Sequence, residues 1–284
     1  MTAQIIDGKA IAAKVQRELG DAVAEFWNDH GRVPSLRAII VGDDKSSQTL
    51  VRNKQRMVDG AGMTSEVQHV AADVSEADLR ARVSVANADP EVDAILVQLP
   101  LPAMLDTDRV LASIDVRKDV DGLTPHNAGL LAAGKPLLIP GTARGCLRLL
   151  DEIDYKLAGK RVLVIGRSAL VGRPTAQLLL TRDATVTTAH SQTTDLPQWV
   201  ADSDVVVAAA GKAGLVRGAW IKPGAVVIDV GLNRDADGKL CGDVEFTAAS
   251  ERAAFITPVP GGVGPMTAVM LAANTLAAAR LRSG

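Results

Sequence analysis

Aromatic side chains are scarce in this sequence: three Phe, three Trp and one Tyr, 2% of 284 residues. So few rings exclude a stacking platform for nucleobases. A surplus of either charge is missing too. Thirty-one Lys and Arg stand against 33 Asp and Glu, a formal net charge of −2. That balance gives no reason to expect nucleic acid or an anionic membrane as a partner. Only two cysteines occur, Cys146 and Cys241. Their separation fits no metal-ligand spacing, and they read as isolated core thiols of a protein in a reducing cytoplasm. The histidines, His30, His69, His126 and His190, show no ligand or triad spacing, so no metal is expected. The start, MTAQIIDGKAIAAK, has neither the basic region nor the apolar run of a secretion signal. One stretch, Ala253 to Ala279, carries no charge, but its first half contains Pro258, Pro260, Gly261, Gly262, Gly264 and Pro265. Such a segment is a loop followed by a buried helix rather than a membrane span.

What remains is an ordinary globular composition, 47% hydrophobic and 23% charged, long enough for one large or two medium domains. Helix and strand signals alternate in the first half. A helix pattern covers Gly8 to His30, and the run RAIIV (Arg37 to Val41) reads as a buried strand. A helix over Ser46 to Gly60, a strand over Ser65 to Val70, a helix opened by Ser75 with Asp78, and a strand over Ala94 to Leu99 follow. From Asp115 to Gly141 the pattern is loop-like. A helix then begins at Thr142, and the alternation restarts with strands at Arg161 to Ile165, Ala184 to Ala189, Asp204 to Ala210 and Ala225 to Val230. The order predicts an α/β protein of two domains: an N-terminal α/β substrate domain over 1–140 and a C-terminal Rossmann-type domain over 141–264. The last helix, 265–284, comes too late for the second sheet and is expected to return to the first domain.

The segment RVLVIGRSALVGRP is the most informative for fold. A β-branched strand ends at Gly166, a short loop follows, and Gly172 opens a helix whose free amides face a diphosphate. Ser168 stands where the usual G-x-G-x-x-G has its middle glycine. An NAD site usually places an acid at the end of the second strand. Here that stretch reads TTAHSQTT, with no acid before Asp195. Arg167 and Ser191 suit a 2′-phosphate instead, so the expected cofactor is NADP.

Six segments, in order, resemble the methylenetetrahydrofolate dehydrogenase/methenyltetrahydrofolate cyclohydrolase family: VGDDKSSQTLVRNK, VQLPLP, KDVDGLTPHNAG, GRSALVGRP, VIDVGLN and TPVPGGVGPMT. The resemblance implies oxidation of 5,10-methylenetetrahydrofolate with NADP, then hydrolysis of the methenyl product to 10-formyltetrahydrofolate, in a cleft between two domains. It implies tetrahydrofolate derivatives as partners and a homodimer formed through the cofactor domain. By matching motif, it makes Lys54 the catalytic lysine, Gln98 its hydrogen-bonded partner and Asp121 the carboxylate that holds the pterin's amino edge. Leu50, Val97 and Leu99 fall beside them on the substrate side, and the loop Pro260, Gly261, Gly262 matches the part that closes over the folate. Gly166, Arg167, Ser168 and Ser191 match cofactor contacts, and Leu232 falls at the nicotinamide end.

The chemistry suits these residue types. Hydride leaves a methylene carbon whose neighbouring nitrogen supports the developing cation, so positioning does most of the work. Hydrolysis needs a water aimed at the methenyl carbon and a group that moves a proton, which an oriented amine can do. Two positions depart from the family pattern. Leu50 stands where the motif has a tyrosine, one helical turn before Lys54 and on the same face. An apolar neighbour favours a neutral amine, whereas a missing hydrogen-bond partner leaves it poorly oriented. The second effect is expected to dominate and to weaken the cyclohydrolase step. PGTARG (Pro140 to Gly145) replaces P-C-T-P-x-G, a change expected to bear on the domain junction. Three readings stay open: a bifunctional enzyme, a dehydrogenase that has lost most cyclohydrolase activity, and a catalytically silent binding homologue.

Overall fold

The computed structural model describes residues 2–283. The chain divides into two units, one made of residues up to Ala12 with Thr142–Thr267, the other of Ala13–Gly141 with the chain from Ala268 onward.

The second of these units is built on a three-stranded parallel sheet. Strand Ser35–Val41 lies between Thr64–Val70 and Ala94–Val97. Parallel neighbours need crossovers, and the helices Lys45–Gly60 and Glu76–Ala88 supply them. Both are capped from their own sequence. The Asp44 carboxylate accepts from the Ser47 amide at 2.7 Å, and the Ser75 hydroxyl accepts from the Asp78 amide at 3.1 Å. Ile39, Val97, Leu79, Val83, Val110 and Ile114 belong to one core cluster of this unit.

The segment expected to be a loop between Asp115 and Gly141 contains a helix, Pro125–Ala132. Its start was legible: Thr124 caps the Asn127 amide, and Pro125 occupies the first turn, where its missing N–H is harmless. The final helix, Val263–Ser283, joins this unit from Ala268 on. Its Asn274 amide donates to the carbonyls of Val120 and Ile139 at 2.8 and 2.6 Å. Near its end, Arg282 donates to the Asp93 carboxylate at 2.7 Å, which also accepts from the two terminal guanidinium nitrogens of Arg32 and from the Ser35 amide. Asp93 is fully buried, so this one side chain ties the first helix's exit, the sheet and the last helix together.

The other unit holds a six-stranded parallel sheet in the order Gln4–Ile5, Phe255–Ile256, Val226–Asp229, Val205–Ala208, Arg161–Ile165, Thr185–Ala189. The chain runs outward from Arg161–Ile165 to Thr185–Ala189, then returns to pair Val205–Ala208 on the opposite side. That reversal is the switch point of a doubly wound, Rossmann-type sheet, outside whose strand ends ligands bind. One expectation is corrected here. Residues up to Ala12 were assigned to the substrate domain, yet Gln4–Ile5 is the edge strand of this sheet, paired with Phe255–Ile256. Amides of Gln4 and Ile6 donate to the carbonyls of Ala254 and Ile256. A two-residue strand has no measurable periodicity, so no local signal announced it.

Candidate active site

Lys54 sits on helix Lys45–Gly60, whose buried residues are Ser47, Val51 and Val58. It lies three residues after Val51 and four before Val58, hence on the inward stripe. Its side chain is 13% exposed, well short of a solvated surface lysine. The Nζ atom donates to Gln98 Oε1 at 3.3 Å and lies 3.6 Å from Asp121 Oδ2. Gln98 is the residue after strand Ala94–Val97; its amide continues the ladder by donating to the Ile39 carbonyl, and its side-chain nitrogen is used by the Leu99 carbonyl. The carboxamide is thereby oriented with its oxygen toward the lysine. Gln98 adds no charge, but Asp121 does, a contact that sequence reasoning reserved for the pterin.

The stretch KDVDG explains how Asp121 reaches this place. Lys118 is buried, and its Nζ donates to the carbonyls of Ala86, Asn87 and Asp89 at 3.0, 2.7 and 2.8 Å, closing the C-terminal end of helix Glu76–Ala88. Burial pulls its pKa below the usual lysine value. Asp119, also buried, accepts from the amides of Leu123 and Thr124 and from the Asn127 side chain. Burial pushes its carboxyl above the usual range, against the effect of those donors. Asp119 bridges to Ile95 in parallel, and two residues on Asp121 projects beside the end of that strand. Gly122 follows with φ +65°, and a Cβ there would meet the Leu138 carbonyl oxygen at 2.7 Å. Sequence reasoning named Asp121 and missed the buried Lys118 and Asp119, whose charges read as solvated until their partners are known.

Leu50, one turn before Lys54, is 43% exposed. Val97 is buried within the strand and Leu99 half-buried after it. Lys54, Gln98 and Asp121 are thus brought together, with Leu50 beside them on the helix.

The cofactor loop lies in the Rossmann-type unit. Gly166 has φ +123°, and a Cβ there would come within 2.1 Å of the Ala209 carbonyl oxygen; at Gly172 it would meet the Gly166 oxygen at 2.1 Å. Both glycines are dictated by close backbone approach. Ser168 does not merely replace a glycine. Its hydroxyl accepts from the amides of Val171 and Gly172, capping a helix whose cap residue, Val171, has no side-chain oxygen. The amides of Arg167, Ser168, Ala169 and Leu170 donate to no protein group among the described residues. Free amides ahead of a helix N-terminus fit a diphosphate. Arg167 and Ser191 are exposed, without ion pair or side-chain hydrogen bond among the described residues. His190 folds its ring back, Nδ1 accepting from the Gln192 amide. No acid follows strand Thr185–Ala189 before Asp195, so the residues present fit a 2′-phosphorylated dinucleotide.

Leu232 is 67% exposed on the loop after strand Val226–Asp229. Pro260, Gly261 and Gly262 belong to the same unit; the Lys9 amide donates to the Gly261 carbonyl, and a Cβ on Gly8 would overlap the Gly262 oxygen. In PGTARG, Gly141 and Arg144 form the first turn of helix Gly141–Glu152, where burial lowers the Arg144 pKa. Cys146 is a core thiol pushed up to about 12 by burial, but Cys241 is only half-buried, on the short strand Leu240–Cys241, and corrects the expectation of two core thiols. Among the described residues, no helix is long and apolar enough to cross a membrane.

Comparison with known proteins bears on both sites. The family model for the tetrahydrofolate dehydrogenase/cyclohydrolase catalytic domain matches residues 6–121, and the model for that family's NAD(P)-binding domain matches residues 140–283. The chain is 55% identical over 283 residues to the bifunctional protein FolD of Sorangium cellulosum, with 99% of each chain covered. Among solved structures, it resembles the bifunctional FolD methylenetetrahydrofolate dehydrogenase/cyclohydrolase of Campylobacter jejuni, with TM-score 0.96, 41% identity and 99% of each chain covered. The Trypanosoma brucei enzyme, solved with NADP cofactor and inhibitor, gives TM-score 0.94 and 43% identity over 99% of this chain and 98% of that one.

Proposed function

The chain belongs to the tetrahydrofolate dehydrogenase/cyclohydrolase family, and on that premise we propose that it oxidises 5,10-methylenetetrahydrofolate with NADP and hydrolyses the methenyl product to 10-formyltetrahydrofolate. The observation that carries this reading is the Lys54 amine set between Gln98 Oε1 and Asp121 Oδ2. When bound, NADP supplies the acceptor for the hydride. The chain's own work in that step is to hold the reactants. Gly166 would let the backbone approach the cofactor's phosphates closely, Arg167 and Ser168 would offer them free amides and a guanidinium, Ser191 a hydroxyl, and Leu232 an apolar surface at the nicotinamide end.

Hydrolysis asks more of the catalytic residues. Lys54 moves a proton at Nζ as water attacks the methenyl carbon, and Gln98 fixes the direction of that amine. Asp121 faces both the lysine and the substrate, where its second oxygen and remaining lone pairs suit an edge carrying two N–H donors. Val97 and Leu99 complete the substrate side within the unit of Ala13–Gly141 and the chain from Ala268 onward, which is the folate-binding part of this reading, and the loop Pro260, Gly261, Gly262 is assigned to the folate as well. A second reading, a dehydrogenase with little cyclohydrolase activity, is favoured by the half-exposed Leu50 in place of a hydroxyl-bearing side chain. A homodimer through the cofactor-binding part, a cytoplasmic location, and no nucleic-acid or membrane partner belong to the same proposal.

The test gives purified protein methylenetetrahydrofolate with NADP or NAD, and methenyltetrahydrofolate alone, while absorbance is followed. Turnover in the first assay with preference for NADP, and of methenyltetrahydrofolate in the second, is expected. No turnover of either folate refutes both readings and leaves a binding homologue.

A further inference from the structure

Two buried carboxylates in the Rossmann-type unit, Asp229 and Asp243, take no part in the reading above. They are 4% and 0% exposed. Neither forms an ion pair with Lys or Arg among the described residues; their charges are met by N–H donors alone. Asp229 ends strand Val226–Asp229. Its Oδ1 accepts from the amides of Gly231 and Asp243, and its Oδ2 from that of Val244, each at 2.9 Å. Asp243 in turn accepts at Oδ2 from the amides of Ala210 and Gly211, at 2.6 and 2.9 Å. Its Oδ1 takes the Lys212 amide at 2.9 Å and the Asn233 side chain at 2.8 Å.

Those donors are not scattered. Ala210, Gly211 and Lys212 form the loop that leaves strand Val205–Ala208, at the switch point, directly beside the glycine loop: the Ala209 oxygen is what a Cβ on Gly166 would strike. Gly231 and Asn233 flank Leu232, the exposed residue on the neighbouring strand's loop. The carboxylates therefore hold both rims of the crevice outside the strand ends where a dinucleotide lies. The fit is close. A Cβ on Gly231 would come within 2.3 Å of Asp243 Oδ1, and one on Gly242 within 1.9 Å of Asp229 Oδ2. An apolar core would not need two carboxylates without a counter-ion. Their arrangement orients at least three consecutive amides and one loop side chain, a device whose desolvation cost is offset by three donors on Asp229 and four on Asp243.

We propose that Asp243, braced by Asp229, is a positioning residue for hydride transfer, fixing loop Ala210–Lys212 and the Leu232 platform against the nicotinamide end of the cofactor. The inference rests on the dehydrogenase reading and concerns residues outside the cluster of Lys54, Gln98 and Asp121. An Asp243→Asn variant keeps the shape but turns one acceptor into a donor that faces the backbone amides.

Its kcat/KM for NADP in the dehydrogenase assay is expected to fall about tenfold or more, and the NADP Kd read by calorimetry to rise with it. Hydrolysis of methenyltetrahydrofolate without NADP is expected to stay within about twofold of the parent. A purely structural role would lower both activities together, and that result overturns the proposal, as does an unchanged dehydrogenase. Should Asp243→Asn fail to fold, Asn233→Ser removes a single donor to the same carboxylate. It is expected to lower the dehydrogenase alone, and no loss overturns the proposal. A parent protein that turns over neither folate refutes the functional reading, while NADP calorimetry on the same pair of proteins still judges the positioning role.

Discussion

Replacing Leu50 by tyrosine isolates what the hydroxyl-free side chain does at this site. Lys54 carries three N–H donors. Gln98 Oε1 at 3.3 Å takes one, and Asp121 Oδ2 at 3.6 Å attracts the charge without reaching hydrogen-bond length. The amine thus has one hydrogen bond and one longer ionic contact. Residue 50 lies one turn earlier on the same face, so a phenol hydroxyl there can accept a second hydrogen bond and fix the amine's direction. One such bond contributes about 1 kcal/mol net, which corresponds to roughly fivefold in rate if it acts in the transition state. Ring stacking on the folate belongs to a different ledger. Position 50 is 43% exposed, so only the lower end of the aromatic gain applies, about 0.5 kcal/mol or roughly twofold, and it serves both reactions through substrate binding.

The two effects separate in paired assays. Loss of methenyltetrahydrofolate absorbance without NADP reads hydrolysis, and NADPH formation from methylenetetrahydrofolate reads hydride transfer. Leu50→Tyr is expected to raise the hydrolytic kcat about fivefold while dehydrogenase kcat/KM rises only about twofold. Equal gains in both would assign the effect to binding alone. No gain in either would show that orientation of Lys54 is not what position 50 controls, and the argument from the missing hydroxyl would fail.

Two further expectations concern the framework. Asp93→Ala strips a fully buried carboxylate from Arg32, Arg282 and the Ser35 amide; urea unfolding is expected to show a loss of about 3 kcal/mol, the lower end for a broken buried pair because both arginines keep some solvent, and a loss under about 1 kcal/mol would put Asp93 among surface ion pairs. Asp229 is pushed up to about 6 from 3.8, first by burial, with Asp243 as the charged neighbour. Its folded form therefore binds a proton more readily than the unfolded chain, and its contribution to stability is lost as pH rises through about 6. Relative to an Asp229→Asn variant, the parent should gain about 1 kcal/mol on going from pH 7.5 to pH 5; a parallel pH dependence of the two denaturation midpoints would show that this carboxyl does not titrate there.

Much of the fold was legible because its signals are local. The buried run RAIIV, the Ser75 cap and the glycine loop each fix a strand, a helix start or a turn from neighbouring residues. Where structure rests on distant partners, the sequence said less. The edge strand Gln4–Ile5 exists only because Phe255–Ile256 lies beside it. Helix Pro125–Ala132 carries a readable cap, but the prolines and glycines around it outweigh that signal. At the candidate site, Lys54, Gln98 and Asp121 became visible through matching motifs. The distances between them, and the Lys54–Asp121 ion pair in particular, needed the fold.

The residues missed share one property. Lys118, Asp119, Asp229 and Asp243 are charged and buried, a combination that composition and periodicity assign to the surface by default. Each is satisfied mainly by N–H groups of loops or, for Lys118, by carbonyls at the end of a helix, rather than by an opposite charge. Lys118 and Asp119 fix the loop that presents Asp121; Asp229 and Asp243 fix the two loops beside the glycine turn. A hydrophobic core can place strands, but a strand end that must offer several backbone groups in set directions needs a partner with several acceptors or donors of its own. A charged side chain supplies them in one residue, so these four buried charges, unlike the ion-paired Asp93 of the framework, mark the loops on which chemistry depends.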